Sequence, residues 1–151
     1  MSIKDNGLQD QYIDVRKTIV IDASPEVIFN AISNPEELTQ WFPDQAIFEA
    51  RIGGEVSFEM SDKKSEKEGG CKIHGTIVEF ISNKKISYTW ERTDKSSKNS
   101  KTVVTWELEK IKDDGTRVNL RHTGFTTTEM AKEHDEGWTY FMPRLKKYCE
   151  S

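Results

Sequence analysis

The stretch TTTEMAKEHDEGWTYFMPRLKKYC, residues 126–149, decides the fold, because it is a long segment with one strongly apolar helical face. Thr126 and Glu129 have the spacing of a helix capping box. Apolar and aromatic side chains then recur at steps of three and four, as on one face of a helix. They are Met130, His134, Trp138, Phe141, Met142, Leu145, Tyr148 and Cys149. The pattern predicts a long C-terminal helix, kinked near Thr139–Tyr140 because Pro143 lacks an N–H.

Residues 45–123, which precede this helix, alternate between apolar and polar side chains. A period of two predicts antiparallel strands with one covered face and one wet face. The clearest segments are Val56–Met60, Ile86–Arg92, Val104–Leu108 and Val118–His122. Asp113–Gly115 is typical of a hairpin turn. This part of the chain therefore predicts about six strands that lead into the C-terminal helix.

The N-terminal part begins with a polar segment, residues 1–11, which predicts a flexible tail. Ile13–Ile21 then alternates as a strand. Ser24–Pro25 and Asn34–Pro35 each place a capping residue before a proline, which predicts two short helices. The order of strand, two short helices, about six strands and long helix indicates an α+β domain over residues 12–151, with the helices on one face of the sheet.

Composition limits the classes of function. The 151 residues carry a net charge of −4, which argues against a nucleic-acid binder. No apolar run reaches the roughly 20 residues of a membrane span. Two cysteines distant in sequence, Cys71 and Cys149, do not make a disulfide framework. We therefore expect a cytoplasmic protein without nucleic-acid partners or membrane insertion; the sequence does not indicate its oligomeric state.

Motifs for catalysis or for a cofactor are weak. Cys71 and His74 have a metal-like spacing, but on a strand residues three apart point to opposite faces. The sequence has no nucleophile elbow and no phosphate-binding loop. Paired carboxylates such as Glu36–Glu37 fall at caps and turns. We therefore expect no metal, no cofactor and no catalytic residue, with non-enzymatic function favoured over catalysis.

Several segments together resemble a known family. They are Ile19–Val27, Asn34–Leu38, Trp41–Pro43, Ile52–Val56, Tyr88–Trp90, His122–Phe125 and Gly137–Trp138. Their order is similar to that of the START-like, helix-grip (SRPBCC, Bet v 1-like) superfamily. Within it, the chain resembles bacterial proteins related to the C-terminal domain of the activator of Hsp90 ATPase. The resemblance runs from about Ile13 to Tyr148.

The resemblance implies a curved antiparallel sheet of about seven strands wrapped around the C-terminal helix, with a cavity between them. It implies non-enzymatic binding of a small apolar or aromatic ligand, such as a lipid, a polyketide or a flavonoid-like molecule. The alternative is a protein-interaction module with a chaperone partner, as in the eukaryotic co-chaperones of the family. The charged loops Ser61–Gly70 and Thr93–Ser100 are compatible with that alternative.

The candidate ligand-binding residues lie on the predicted inner face. They are Trp41, Phe58, Met60, Tyr88, Trp90, Arg92, His122, His134, Trp138, Phe141 and Met142. An aromatic inner face suits a binding cleft, although it also suits an ordinary core. Arg92 is a candidate anchor for an acidic ligand group, or a side chain that extends to solvent.

Two histidines each have two interpretations. His122 ends the inner face of its strand, just before Gly124. It could orient a ligand carbonyl or hydroxyl, or shuttle a proton with a pKa near neutrality, or it could pack the strand–helix junction. His134 could line the cavity or belong to the core. An enzyme that uses His122 is the third and weakest interpretation of the function.

Overall fold

A computed structural model of the chain describes residues 13–60, 71–93, 101–113 and 115–151. The predicted tail 1–11, the whole loop Ser61–Gly70 and residues 94–100 of the loop Thr93–Ser100 lie outside these ranges. The elements are β1 (Ile13–Ile21), α1 (Pro25–Ser33), α2 (Pro35–Trp41), β2 (Gln45–Phe48), β3 (Glu55–Met60), β4 (Cys71–Ile81), β5 (Lys85–Arg92), β6 (Lys101–Lys110), β7 (Thr116–Phe125) and α3 (Thr128–Glu150).

The strands of the described residues form one seven-stranded antiparallel sheet in the order β1-β7-β6-β5-β4-β3-β2. Strands β2 to β7 follow one another as neighbours, whereas β1 pairs with β7 at the far edge. Because β1 and β2 are opposite edges, α1 and α2 connect the two sides of the sheet. The predicted α+β, helix-grip architecture, with its curved sheet and long C-terminal helix, is confirmed.

The two short helices begin where the sequence predicts. The Ser24 hydroxyl accepts a hydrogen bond from the Val27 N–H at 3.3 Å. The Asn34 side chain accepts from the Glu36 and Glu37 N–H groups at 2.9 and 3.2 Å. These side chains satisfy backbone donors that have no partner inside the helix.

The cap of α3 is one residue later than the predicted capping box. Thr127, not Thr126, has the extended backbone of a cap, and its hydroxyl accepts from the Met130 N–H at 3.1 Å. A single α-helix then continues through Pro143 to Glu150. Near its end, Lys146 donates to the Val20 carbonyl at 2.9 Å, which ties the helix to edge strand β1.

The inner face of the sheet and the apolar face of α3 enclose the core. Trp138, Phe141, Met142 and Leu145 are buried on the helix side. On the sheet side, β5 contributes Ile86, Tyr88 and Trp90, as the alternation predicts. No helix in the described ranges is both long enough and apolar enough to cross a membrane.

Strands β4 and β5 approach each other very closely at one glycine. A Cβ on Gly75 would lie 1.8 Å from the backbone carbonyl oxygen of Thr89, so only glycine fits there. Two residues further on, the register of β4 shifts between Ile77 and Glu79. The resulting irregularity places Val78 on the exposed side of the strand.

Candidate functional site

The centre of the space between sheet and helix is occupied by Phe42, which caps the C-terminal end of α2. Its ring centroid lies 4.8 Å from that of Phe141 and 5.0 Å from that of Phe58. Trp138 and Trp90 follow at 5.7 and 6.3 Å. Four predicted site residues therefore meet around one ring, which is itself 2% exposed.

Phe42 was not among the predicted site residues. In the sequence it belongs only to the segment Trp41–Pro43, one of those that resemble the family. Its central place follows from the way in which α2 crosses the open side of the sheet, which residue spacing does not reveal. The available signal was the run Trp41–Phe42–Pro43, where an aromatic pair ends a short helix.

Trp41 and Tyr88 lie deeper and are held by internal hydrogen bonds. The Trp41 indole donates to the Ala31 carbonyl at 2.9 Å. The Trp106 indole donates to the Tyr88 hydroxyl at 3.0 Å. Both predicted site residues are 1% exposed, and burial raises the pKa of the Tyr88 phenol. They form the closed inner end of the aromatic cluster.

His122 joins the sheet to α3 through a chain of hydrogen bonds. The Trp138 indole nitrogen lies 3.0 Å from Nδ1 of His122, and Nε2 lies 2.7 Å from the Thr102 hydroxyl. An indole N–H can only donate, so Nδ1 accepts and the proton of the neutral ring is on Nε2. The Thr102 hydroxyl therefore accepts from His122 and donates to the Trp90 carbonyl at 3.1 Å.

This arrangement keeps His122 neutral. Burial lowers its pKa well below the ordinary value, and the nearby His134 acts in the same direction. A protonated ring would also turn a second N–H toward the donor of Trp138. The expectation of a pKa near neutrality is wrong, because burial and the neighbouring His134 both disfavour the imidazolium. The geometry agrees with the interpretation that His122 packs the strand–helix junction.

Trp90 differs from the other tryptophans. The described residues include all four, and the indole N–H groups of Trp41, Trp106 and Trp138 each have an acceptor. Nε1 of Trp90 is buried and has no acceptor among the described residues. A buried donor without a partner costs about 1–3 kcal/mol. Trp90 is 5% exposed, so bulk water does not replace the missing partner.

Aromatic groups surround the Trp90 ring on several sides. Ring centroids lie 5.1 Å away for His122, 5.5 Å for Trp138 and 5.9 Å for Phe58. His134 lies at 6.2 Å, and its Nδ1 donates to the Met130 carbonyl at 2.9 Å. His134 thus stands at the outer end of the cluster, half-buried rather than in the core.

Arg92 and two methionines complete the predicted set. The Arg92 side chain is 12% exposed, and Nη1 lies 3.5 Å from Oε1 of Glu133 on α3. The sequence did not identify Glu133 as its partner. Met60 ends β3 opposite Cys71, and Met142 lies on the buried face of α3. The structure therefore distributes the predicted residues between a closed inner end and an outer end that contains Arg92 and His134.

The family model described as "Activator of Hsp90 ATPase homolog 1-like protein" matches residues 22–150. This chain belongs to that family. No sequence among the curated proteins matches the chain significantly.

Solved structures resemble this family member over nearly their whole length. Protein CV1439 from Chromobacterium violaceum is 21% identical, with a TM-score of 0.80, and the match covers 91% of this chain and 97% of that one. The Aha1 dimer from Colwellia psychrerythraea is 23% identical, with 91% and 96% covered and a TM-score of 0.72. PFC0360w, an HSP90 activator from Plasmodium falciparum, is 22% identical, with 89% and 94% covered and a TM-score of 0.70. At these identities the likeness shows the shared fold.

The chemistry that this family member can offer at the site is limited. Both ring nitrogens of His122 are hydrogen-bonded, and the Thr102 hydroxyl takes part in two hydrogen bonds. Within the described part of the chain, no group of three or more His, Cys, Asp or Glu side chains is placed to hold a metal ion. The arrangement can offer apolar surface, the buried indole N–H of Trp90, the buried Nε–H of Arg92 and the Arg92–Glu133 ion pair.

Proposed function

We propose that this chain binds a small apolar or aromatic ligand between the inner face of the sheet and α3, without catalysis. The observation that carries the proposal is the convergence of Phe58, Trp90, Trp138 and Phe141 on the single ring of Phe42. Ligand sites are mostly apolar and contain a few polar groups that fix orientation. Lipid, polyketide and flavonoid-like molecules have the corresponding chemistry.

Binding in this place requires Phe42 to move, because its ring lies among these four rings and that of Trp41. Phe42 stands at the end of a seven-residue helix, directly before Pro43. The N-terminal part of α2 and Trp41 are more firmly held, since Arg144 donates to the Trp41 carbonyl at 3.1 Å and Tyr148 donates to Glu37 at 3.2 Å. We therefore expect a ligand to displace the Phe42 ring while most of α2 stays in place.

Nuclear magnetic resonance tests the proposal directly. The four tryptophans provide four indole N–H signals, each assigned by a Trp→Phe variant. Titration with fluorene, a flavone and dodecanoate should shift the signals of Trp90 and Trp138 in at least one case. The variant Tyr140→Ala removes an exposed ring and should bind equally well. Unchanged indole signals at high micromolar ligand would reject the proposal.

A second candidate is activation of a chaperone ATPase. It is favoured by the family match and by the similarity to an HSP90 activator. Adding the chain to a bacterial Hsp90 should then raise the ATPase rate, and the two proteins should co-elute. If the rate is unchanged and no complex forms, this candidate is removed while the ligand-binding proposal stands.

A further inference from the structure

We infer that the ligand is a neutral aromatic carbonyl compound whose oxygen accepts a hydrogen bond from Nε1 of Trp90. The inference rests on the proposed ligand-binding function and specifies the chemistry of the ligand. Its starting point is the buried indole N–H that has no acceptor among the described residues. An unpaired donor selects a ligand that brings an acceptor, just as a site built around a polar group rejects an analogue that lacks its partner.

None of the described polar side chains near Trp90 accepts a hydrogen bond from its N–H. Nδ1 of His122 already accepts from Trp138, and Nε2 carries a proton that goes to Thr102. Nδ1 of His134 donates to the Met130 carbonyl, so Nε2 of the neutral ring is an acceptor, but it makes no hydrogen bond with the Trp90 N–H. The neighbouring polar groups thus form their hydrogen bonds with partners other than Trp90. An acceptor for the Trp90 N–H would have to come from a bound ligand.

The charge around the site favours a neutral acceptor over an anion. Arg92 follows Trp90 on the inner face of β5, and its guanidinium is paired with Glu133 across the gap to α3. The negative charge of the Glu133 carboxylate offsets the positive charge of the Arg92 guanidinium. His122 is neutral for the reasons given above. A carboxylate would therefore have to compete with Glu133, whereas a carbonyl oxygen needs only the indole N–H.

The aromatic surroundings favour a flat ligand. The rings of Trp138 and Phe58 lie within 6 Å of the Trp90 ring on different sides, with interplanar angles of 53° and 48°. A planar ring system that replaces the Phe42 side chain would contact these rings through its faces and edges. The combination of a flat apolar body with one carbonyl describes aromatic ketones, which occur among polyketides and flavonoids.

The test compares 9-fluorenone with fluorene, because the two molecules have nearly the same shape and differ by the carbonyl oxygen. Affinities are measured by calorimetry on the full-length protein. We expect fluorenone to bind about five- to tenfold more tightly, which is the effect of one buried hydrogen bond. Fluorenone, and not fluorene, should also move the Trp90 indole proton downfield.

Two matched variants locate the effect. In Trp90→Phe the ratio of the two affinities should fall to about one. In Trp106→Phe, where the lost indole N–H already had the Tyr88 hydroxyl as partner, the ratio should remain near its original value. Equal affinities in the unmodified protein, or a preference that persists in Trp90→Phe, would overturn the inference and leave the proposed function intact. If neither compound binds, the inference fails, and the titrations with a flavone and dodecanoate decide whether the proposed function fails as well.

Discussion

Replacing Phe42 with alanine tests the packing on which the site depends. Phe42 is 2% exposed, and five aromatic rings lie within 6.3 Å of its centroid. Buried Phe→Ala substitutions cost about 3–5 kcal/mol, because apolar contact is lost and a cavity remains. A ring with this many neighbours leaves a space that cannot collapse easily. We therefore expect Phe42→Ala to lower the free energy of unfolding by about 4 kcal/mol.

Urea denaturation, followed by tryptophan fluorescence, measures this loss. The same variant should regain stability when benzene or indole is added, because a dry apolar cavity binds such molecules. At a ligand concentration 100 times the dissociation constant, the recovery should be about 2.7 kcal/mol. The unmodified protein should gain much less, since the Phe42 ring occupies the space.

Tyr140→Ala is the matched control, because this ring is 55% exposed although it contacts Phe141. Its removal should change stability by no more than about 0.5 kcal/mol. A loss below about 1 kcal/mol in Phe42→Ala would show that Phe42 does not fill the centre of the site. A full loss without any stabilisation by benzene would show that the space left by the Phe42 ring cannot receive a ligand.

Three further predictions concern the framework around the site. Thr102→Val should cost about 2–3 kcal/mol in urea unfolding, since it leaves the His122 N–H and the Trp90 carbonyl without the hydroxyl. Thr102→Ser keeps the hydroxyl and should cost about 1 kcal/mol; equal losses would contradict the hydrogen-bond chain. In the unfolded chain His122 is protonated below about pH 6.5, whereas burial lowers the pKa of the ring in the folded protein. The free energy of unfolding should therefore fall by about 1.4 kcal/mol per pH unit below about pH 6.5, relative to His122→Gln. An identical pH dependence in both proteins would refute this. Gly75→Ala should lower the free energy of unfolding by about 3 kcal/mol, because the new Cβ would clash with the Thr89 carbonyl. Gly137→Ala should raise it by about 0.5–1 kcal/mol, because that helical position has open space around it. Thermal unfolding measures both, and the opposite order would contradict the backbone geometry.

Much of the fold could be predicted from local signals. Alternation identifies the inner face of each strand, because the side-chain period of two is independent of the neighbouring strands. The caps at Ser24 and Asn34 were correct, since each needs only a side chain and backbone donors two or three residues away. The cap of α3 was displaced from Thr126 to Thr127, because three consecutive threonines offer equivalent hydroxyls and the backbone entry angle selects among them.

The candidate site was less accessible to sequence reasoning. Trp90, Thr102 and His122 come from three different strands, and they meet through registers that pair Trp90 with Thr102 and Val104 with His122. Alternation predicts the face on which each residue lies, but not its neighbour across the strand. The same reason explains why Thr102 was missed, whereas Glu133 was missed because the residue spacing does not show how α3 packs against β5. The unpaired state of the Trp90 N–H depends on all of these contacts together.

The account depends most directly on where a ligand lies. Nuclear Overhauser effects between bound fluorenone and the protein measure this position. We predict contacts from the ligand to ring protons of Phe58, Trp90 and Trp138, which would place it between the sheet and α3. Contacts confined to exposed side chains such as Tyr140, with binding measured in the same sample, would contradict the proposed site.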